Sequence, residues 1–329
     1  MCKKGAQVSE IKESLHPYMT RVERLIVASL QSDIPLLDAI NRSLRERPGK
    51  MLRPMLGLLA AGAAGGITED SIRFAVAAEL LHNATLLHDD VVDGAAERRG
   101  APTVSSILNG RASVLIGDFW LVKCMQIVLS SSENGNRVTR IFAKTMSDLA
   151  EGEILQMEKA SDGSATEEDY LRIIYCKTAS LFEASAESAA ISAGATETVQ
   201  NALGSFAKYL GLAFQIKDDI FDYGSSVVGK PVGIDLLEQK ITQPLLCALE
   251  SVSADEAAAV RKKVAGIADN PSLAGEVRAF VHANEGVRAA GQKMDFYIEK
   301  AISCLDSLED SQEKSYLACL ARYVGDRSI

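Results

Sequence analysis

Two short acidic runs constrain this chain more than any other feature. The first, Leu-Leu-His-Asp-Asp-Val-Val-Asp-Gly, holds Asp89, Asp90 and Asp93. The second, Gln-Ile-Lys-Asp-Asp-Ile-Phe-Asp-Tyr, holds Asp218, Asp219 and Asp222. Each is a DDxxD pattern in an apolar frame. On a helix, residues four apart share a face, so Asp89 lies in line with Asp93, and Asp218 with Asp222. Carboxylates crowded on one stripe repel each other and resist burial. A hard divalent cation resolves that conflict, and Mg²⁺ is usually held by a few carboxylates plus substrate phosphates. A single run reads as a solvated acidic patch at a helix end. Two runs with matched spacing and flanks are harder to explain that way. The spacing does not fit an EF-hand, whose ligands alternate along a loop.

The length of 329 residues allows two domains, yet no Pro-, Gly- or Ser-rich linker divides the chain, so one domain over 1–329 is expected. Hydrophobic residues make up 47% but aromatics only 5%, and Pro is limited to 8, which favours a large all-α body rich in Ala and Leu. The formal charge of −9 argues against nucleic acid as the main partner. Anionic substrates stay open, because they answer to local charge. Cys2, Cys124, Cys176, Cys247, Cys304 and Cys319 are scattered without CxxC or metal spacing, and read as buried reduced thiols of a cytoplasmic protein. The start, Met-Cys-Lys-Lys-Gly-Ala-Gln, lacks an apolar signal core. No uncharged apolar stretch of about 18 residues occurs, so no membrane span is expected.

Along the chain, residues 8–30 read as an amphipathic helix broken or kinked near His16-Pro17, and 33–46 as a second helix. In Arg47-Pro48-Gly49-Lys50-Met51-Leu52-Arg53-Pro54, Lys50 and Arg53 face one way if the turn is helical. Gly49 lets the backbone approach a ligand. An exposed basic turn is the simpler reading of that stretch, a diphosphate clamp the sharper one. The helix over 69–93 starts at the cap signal Thr68-Glu69-Asp70 and ends in the first acidic run. His82 lies two turns before Asp89 on the same face. A lone His is usually a satisfied core residue, and only this register singles it out. Arg98 and Arg99 follow the run directly, and arginine's planar fork suits phosphate oxygens. One short stretch thus offers cation and anion ligands together, as a metal-bridged diphosphate requires.

Further helices are expected over 112–131, 137–160, 168–194 and 199–223. The third holds Lys177-Thr178 in small apolar surroundings. That lysine either snorkels to the surface or aims its charge into a cavity. The fourth carries the second acidic run, with Gln215 just before it. Residues 225–239 read as a loop containing Gly229-Lys230-Pro231, which leads to Lys240. The helices over 244–329, divided near Asn270-Pro271, read as scaffold.

Taken together, these residues resemble the trans-isoprenyl diphosphate synthase (polyprenyl synthetase) family. The match runs from Gly49 to about Pro244. It rests on Gly-Lys-x-x-Arg-Pro at 49–54, DDxxD followed by Arg-Arg-Gly at 89–100, Lys-Thr at 177–178, and Phe-Gln-x-x-Asp-Asp-x-x-Asp at 214–222, with Gly229-Lys230 and Lys240. The resemblance implies the all-α isoprenoid synthase fold, a large helical bundle around a deep central cavity, usually as a homodimer. It implies that an allylic diphosphate ionises and that its cation is attacked by isopentenyl diphosphate with loss of a proton. By the same resemblance, Asp89, Asp93 and Asp218 hold three Mg²⁺ ions around the allylic diphosphate, with Asp90, Asp219 and Asp222 supporting them. Arg98, Lys177, Lys230 and Lys240 bind that diphosphate. Lys50, Arg53, His82 and Arg99 bind isopentenyl diphosphate, and Thr178 and Gln215 line the carbocation. Lys177, Thr178 and Gln215 are therefore the expected catalytic residues. No side chain is an obvious general base, and the family favours the released diphosphate as proton acceptor. One departure is Gln239, where related sequences often have Gly.

The helix before Asp89 also works as a ruler for the growing chain. A helical turn rises about 5.4 Å, close to one isoprene unit. Ala84 and Thr85 stand one turn before Asp89, where bulky aromatics close the cavity in short-chain members of the family. Leu81 and Ala78 come next, and Ile127, Val128, Phe142 and Met146 are candidates for a deeper floor. Small residues at 84 and 85 point to a long product of about thirty-five to fifty carbons. A geranylgeranyl diphosphate synthase is the alternative if another side chain closes the cavity sooner. A terpene cyclase fits less well, since such enzymes usually carry an Asn/Ser/Glu motif in the second position. A non-catalytic or partner-dependent subunit of a two-component synthase is the rival of another class. A non-catalytic one should have lost acidic or basic positions, and none of these is missing, whereas a catalytic subunit that needs a partner stays open.

Overall fold

Nearly every apolar stretch of this Ala- and Leu-rich chain becomes helix, as its helix propensities favour. The computed structural model describes residues 4–45, 49–98, 100–224 and 233–326, so Arg99 and Lys230 lie outside the described residues. In chain order the helices are α1 (Lys4–Ser29), α2 (Pro35–Arg45), α3 (Leu52–Ala63), α4 (Glu69–Val92), α5 (Val104–Ile107), α6 (Gly110–Leu129), α7 (Gly135–Asp162), α8 (Glu167–Ile174), α9 (Ser180–Ser192) and α10 (Glu197–Asp222). They continue as α11 (Ile234–Leu237), α12 (Gln243–Glu250), α13 (Ala254–Ala265), α14 (Leu273–Ala283), α15 (Gly286–Cys304) and α16 (Gln312–Asp326). A π-helical turn, Tyr175–Ala179, joins α8 to α9. Two short strands, β1 (Glu97–Arg98) and β2 (Ala101–Pro102), pair antiparallel after α4.

The chain forms two compact units. The first comprises Met1–Lys144, Leu181–Gly204 and Ser307–Cys319; the second comprises Thr145–Ser180, Ser205–Asp306 and Leu320–Ile329.

In the first unit α4 is the central helix, packed on α1, α3 and α6. Its residues from Phe74 to Leu81 are all buried, as expected of a helix that is apolar all round. A capping box starts it. The Thr68 hydroxyl accepts the Ser71 N–H at 3.1 Å, and the Ser71 hydroxyl accepts the Thr68 N–H at 2.9 Å. Glu69 and Asp70 add negative charge where the helix dipole is positive. Helix α6 runs antiparallel along α4 at close range. A Cβ on Gly117 would meet His88 Nε2 at 2.3 Å, and one on Gly110 would meet Val91 at 3.0 Å. The Ser113 hydroxyl donates to the Leu87 carbonyl at 2.7 Å. Trp120 donates its indole N–H to Asn41 (2.9 Å), whose amide donates to the Leu30 carbonyl (2.8 Å), and this ties α6 to α2 and the end of α1.

In the second unit, α12 packs on α15, α14 and α8 around Leu245, Val281 and Ile298. The π-turn is gripped by two glycines of this unit. A Cβ on Gly152 would lie 2.6 Å from Cys176 Cβ, and one on Gly211 would lie 2.6 Å from Ala179 Cα. Backbones that approach this closely leave no room for a side chain, so the turn holding Lys177 and Thr178 is fixed in place.

Three sequence expectations need correction. Helix α1 passes through Pro17 without a break. The expected helix over 168–194 is instead α8, the π-turn and α9, because one extra residue is wound into the backbone. Of the thiols expected to be buried, Cys124, Cys176 and Cys247 are buried, whereas Cys304 and Cys319 are half-buried and Cys2 lies outside the described residues. Helix α6 is long and apolar enough, by length and composition alone, to cross a membrane. It nevertheless carries Arg111, Asp118 and Lys123 and buries one face against α4.

Asp70 anchors the start of α4. Burial raises its pKa, but hydrogen bonds from Ser131, Arg73 and Asn134 outweigh that and hold it below the ordinary carboxylate value. A depressed pKa stabilises the fold above the unfolded value, and the contribution disappears as pH falls through the folded value. Asp70→Asn should therefore cost about 1 kcal/mol at pH 7, and the difference should shrink as pH falls below the ordinary carboxylate range. Urea titrations across that range measure both.

Candidate functional site

The first acidic run sits at the C-terminal end of α4. Asp89 and Asp90 occupy its last turn, and Asp93 caps it, its N–H bonding the Asp89 carbonyl at 2.8 Å. The helix dipole is negative there, so three acids are held where the backbone itself repels them. Consecutive helical residues differ by about 100° in direction, so the two neighbours diverge. Asp89 is half-buried and Asp93 exposed, while Asp90 is 3% exposed and accepts Arg98 Nε at 2.6 Å. The β1–β2 hairpin that carries Arg98 is held against the end of α4. Thr103 donates its hydroxyl to the Ala95 carbonyl (2.7 Å) and its N–H to that of Ala96 (3.0 Å). Behind the ion pair lies a cavity of about 100 Å³ lined by Asn83, Leu86, Leu87 and Trp120, away from the Asp89 face.

The other expected site residues of this unit are more scattered. His82 is half-buried on the Asp89 face, and its carbonyl accepts the Thr85 hydroxyl at 2.8 Å. The expectation that Lys50 and Arg53 share a helical turn is not met. Met51 takes a left-handed φ of 50°, and α3 begins only at Leu52, so exposed Lys50 lies outside the helix. Arg53 sets its guanidinium 5.0 Å from the centre of the Phe182 ring. Of the ruler residues, Leu81, Ala84, Val128 and Phe142 are fully buried, Ile127 nearly so, and Thr85 half-buried. Ala84 falls on the α6-facing stripe with Leu81, His88 and Val91, and Thr85 on the Asp89 face. Met146, half-buried, belongs to the second unit.

In that unit the second run ends α10, again at the negative end of the dipole. Asp218 is half-buried. Asp219, 3% exposed, accepts the Tyr170 hydroxyl at 2.6 Å and the Gln215 amide at 3.0 Å. Gln215 in turn accepts the Thr178 hydroxyl at 2.9 Å. Asp222 caps the short helix α11, accepting the N–H groups of Gly233 (2.9 Å), Ile234 (3.1 Å) and Asp235 (3.2 Å). Burial, then the charge of Asp235, push Asp219 up to about 8. Burial, then Asp222, push Asp235 up to about 6. Both shifts have the same main cause, burial of a carboxylate, with a neighbouring carboxylate adding to it.

Lys177 projects from the π-turn onto α7, its ammonium 2.5 Å from Glu153 and 3.0 Å from Gln156. Lys240 pairs with Glu238. Gln239 takes a left-handed φ of 59°, which explains why Gly suits the position. Its amide offsets the strain by donating to the carbonyls of Ala265 (2.7 Å) and Val264 (3.3 Å).

Sequence reasoning missed Tyr170 and Asp235 as members of the acidic cluster. Tyr170 has no spacing signal, since only the fold brings α8 to α10. Asp235 stood in a stretch read as loop. The donor set is carboxylate oxygen throughout, which fits a hard divalent cation: Asp89, Asp93 and Asp218 are at least partly accessible, whereas Asp90 and Asp219 are buried in other bonds.

The polyprenyl synthetase family model matches residues 34–282. The octaprenyl diphosphate synthase of Haemophilus influenzae is 36% identical over 323 residues, covering 98% of this chain and 97% of that protein. The crystal structure of a decaprenyl diphosphate synthase from Rhodobacter capsulatus superposes with a TM-score of 0.91 at 34% identity, covering 97% of this chain and 98% of the other. That of a polyprenyl synthase from Caulobacter crescentus, complexed with calcium and isoprenyl diphosphate, gives 0.88 at 33% identity, with the same coverage.

Proposed function

We propose, for a chain that belongs to the polyprenyl synthetase family, that it is a prenyltransferase that lengthens an allylic diphosphate with isopentenyl diphosphate. The observation that carries this is the pair of aspartate triads, each ending a helix at its negative pole, with Arg98 in the first unit and Lys177 in the second. The product is a long all-trans polyprenyl diphosphate of about thirty-five to fifty carbons, since the ruler positions 84 and 85 hold only Ala and Thr. Farnesyl or geranylgeranyl diphosphate serves as primer.

In each cycle the allylic C–O bond breaks and diphosphate leaves. The C–C bond to isopentenyl diphosphate forms, and a proton is lost to the departed diphosphate. Asp89, Asp93 and Asp218 hold Mg²⁺, with Asp90, Asp219 and Asp222 orienting the residues around them. The bound cation supplies the positive charge that stabilises the leaving diphosphate. Arg98 reaches the same anion with its fork fixed by Asp90, which leaves its outer nitrogens for phosphate oxygens. Lys177 keeps a third donor beyond Glu153 and Gln156 for the same purpose. Lys230 and Lys240 add to that set, and Lys50, Arg53, His82 and Arg99 bind isopentenyl diphosphate. Thr178 and Gln215 turn oxygens toward the allylic cation. Buried apolar residues along α4 and α6 keep water from quenching it.

Purified protein with Mg²⁺, labelled isopentenyl diphosphate and farnesyl diphosphate should give a product ladder ending above thirty carbons. Ala84→Phe should shorten it by several isoprene units. A wild-type product stopping at twenty carbons would contradict the length assignment. Failure to incorporate label with any allylic primer would contradict the reaction.

The chain works in the cytoplasm as a homodimer. Leu115, Val122 and Leu129 recur every seven residues along α6 and are 60%, 55% and 56% exposed. Such a stripe matches the seam of a helix pair. Leu115→Lys with Val122→Lys should shift the protein to monomer in size-exclusion chromatography. A wild-type protein that elutes as a monomer would refute the assignment.

A further inference from the structure

Glutamine presents two ends of nearly equal shape and opposite polarity. Only the oxygen end stabilises a neighbouring positive charge, so a Gln beside a carbocation must be held one way round. Gln215 is held by its partners. Asp219, one turn further along α10, accepts a hydrogen bond at each of its oxygens. Its Oδ1 takes the NH₂ end of Gln215 at 3.0 Å. The carbonyl end is left facing Thr178, whose hydroxyl donates to it at 2.9 Å. Asp219 cannot turn, because its other oxygen accepts the Tyr170 hydroxyl at 2.6 Å. Tyr170, Asp219 and Thr178 are 3%, 3% and 8% exposed, so water does not compete for these bonds.

Resting on the proposed ionisation of an allylic diphosphate, we propose that Tyr170 is a positioning residue: through Asp219 it fixes the Gln215 amide with its oxygen toward Thr178 and the developing cation. The Tyr170 hydroxyl bonds Asp219, not Gln215 or Thr178. Its effect travels through one carboxylate. Without its hydroxyl, Asp219 can rotate and release the NH₂ end of Gln215. The amide then inverts and turns N–H groups toward the cation. Preorganised dipoles of this kind are worth about a hundredfold or more in rate when removed outright, and one acting through an intermediary is worth less.

The test is a double-mutant cycle on the full-length protein. Tyr170→Phe should lower kcat about tenfold, with KM for both diphosphates and half-saturating Mg²⁺ within about twofold. Gln215→Leu should lower kcat further, and adding Tyr170→Phe to it should then cost nothing more. If the two losses multiply instead, Tyr170 has only a general structural role and the proposal fails. Should Tyr170→Phe not fold, Asp219→Asn takes its place in the same cycle, with the same non-additivity expected. A binding measurement separates this proposal from the function it rests on. A prenyl ammonium ion, offered with Mg²⁺ and inorganic diphosphate, mimics the cation without turnover. Tyr170→Phe should weaken its binding about tenfold and leave diphosphate binding alone. Unchanged ammonium binding overturns the positioning role whether or not the wild type elongates. A wild type that binds the ammonium in this Tyr170-dependent way but makes no product overturns the assigned reaction alone.

Discussion

Acidic side chains at the negative end of a helix are a standing electrostatic conflict, and this chain builds that conflict twice. Helices α4 and α10 each finish in three aspartates, where the macrodipole contributes about half a unit of negative charge of its own. Around the second run, burial and then neighbouring carboxylates push Asp219 up to about 8 and Asp235 up to about 6. Neither helix end is arranged for the protein's own comfort. In the proposed reaction, bound cations would relieve that conflict and would supply positive charge to a departing diphosphate.

Helical geometry divides the work within each triad. The first aspartate of each run remains accessible, whereas the second turns inward and is consumed by protein. Asp90 locks Arg98, and Asp219 locks Tyr170 and Gln215. Asp222 joins the end of α10 to the start of α11. A run of acids that reads as one ligand set is thus a mixture of ligands and braces. The braces hold an arginine fork in one unit and a glutamine amide in the other. Backbone packing supplies the remaining precision. Gly152 and Gly211 clamp the π-turn so closely that Lys177 and Thr178 have little freedom of direction.

Much of this was legible in the sequence because it depends on local spacing. The acidic runs, their helices and the Lys-Thr pair all follow from periods of three to four residues. The cap at Thr68 was visible for the same reason. What escaped is what spacing does not encode. Tyr170 meets Asp219 only because α8 and α10 come together in the fold, and no pattern in either segment announces it. The π-turn needs two glycines far apart in the chain. The left-handed conformation at Met51 separates Lys50 from Arg53, a pair that a helical turn would have joined. Gln239 shows the reverse case. Its left-handed φ marks a Gly position, and its side-chain bonds to α13 explain how a longer residue is tolerated. Pro17, a helix breaker by local rules, sits inside an unbroken α1 whose Leu15 and Val22 are buried, so packing overrides propensity there.

The most direct test is thermal unfolding with and without Mg²⁺. If the helix-end carboxylates await cations, saturating Mg²⁺ with inorganic diphosphate should raise Tm by about 5 °C, since ligand at a hundred times its Kd adds about 2.7 kcal/mol. Asp89→Asn with Asp218→Asn should raise Tm without metal, by removing repulsion, and should abolish most of the Mg²⁺-induced shift. A wild-type Tm indifferent to Mg²⁺ and diphosphate, or a double variant less stable than wild type in metal-free buffer, would contradict the account.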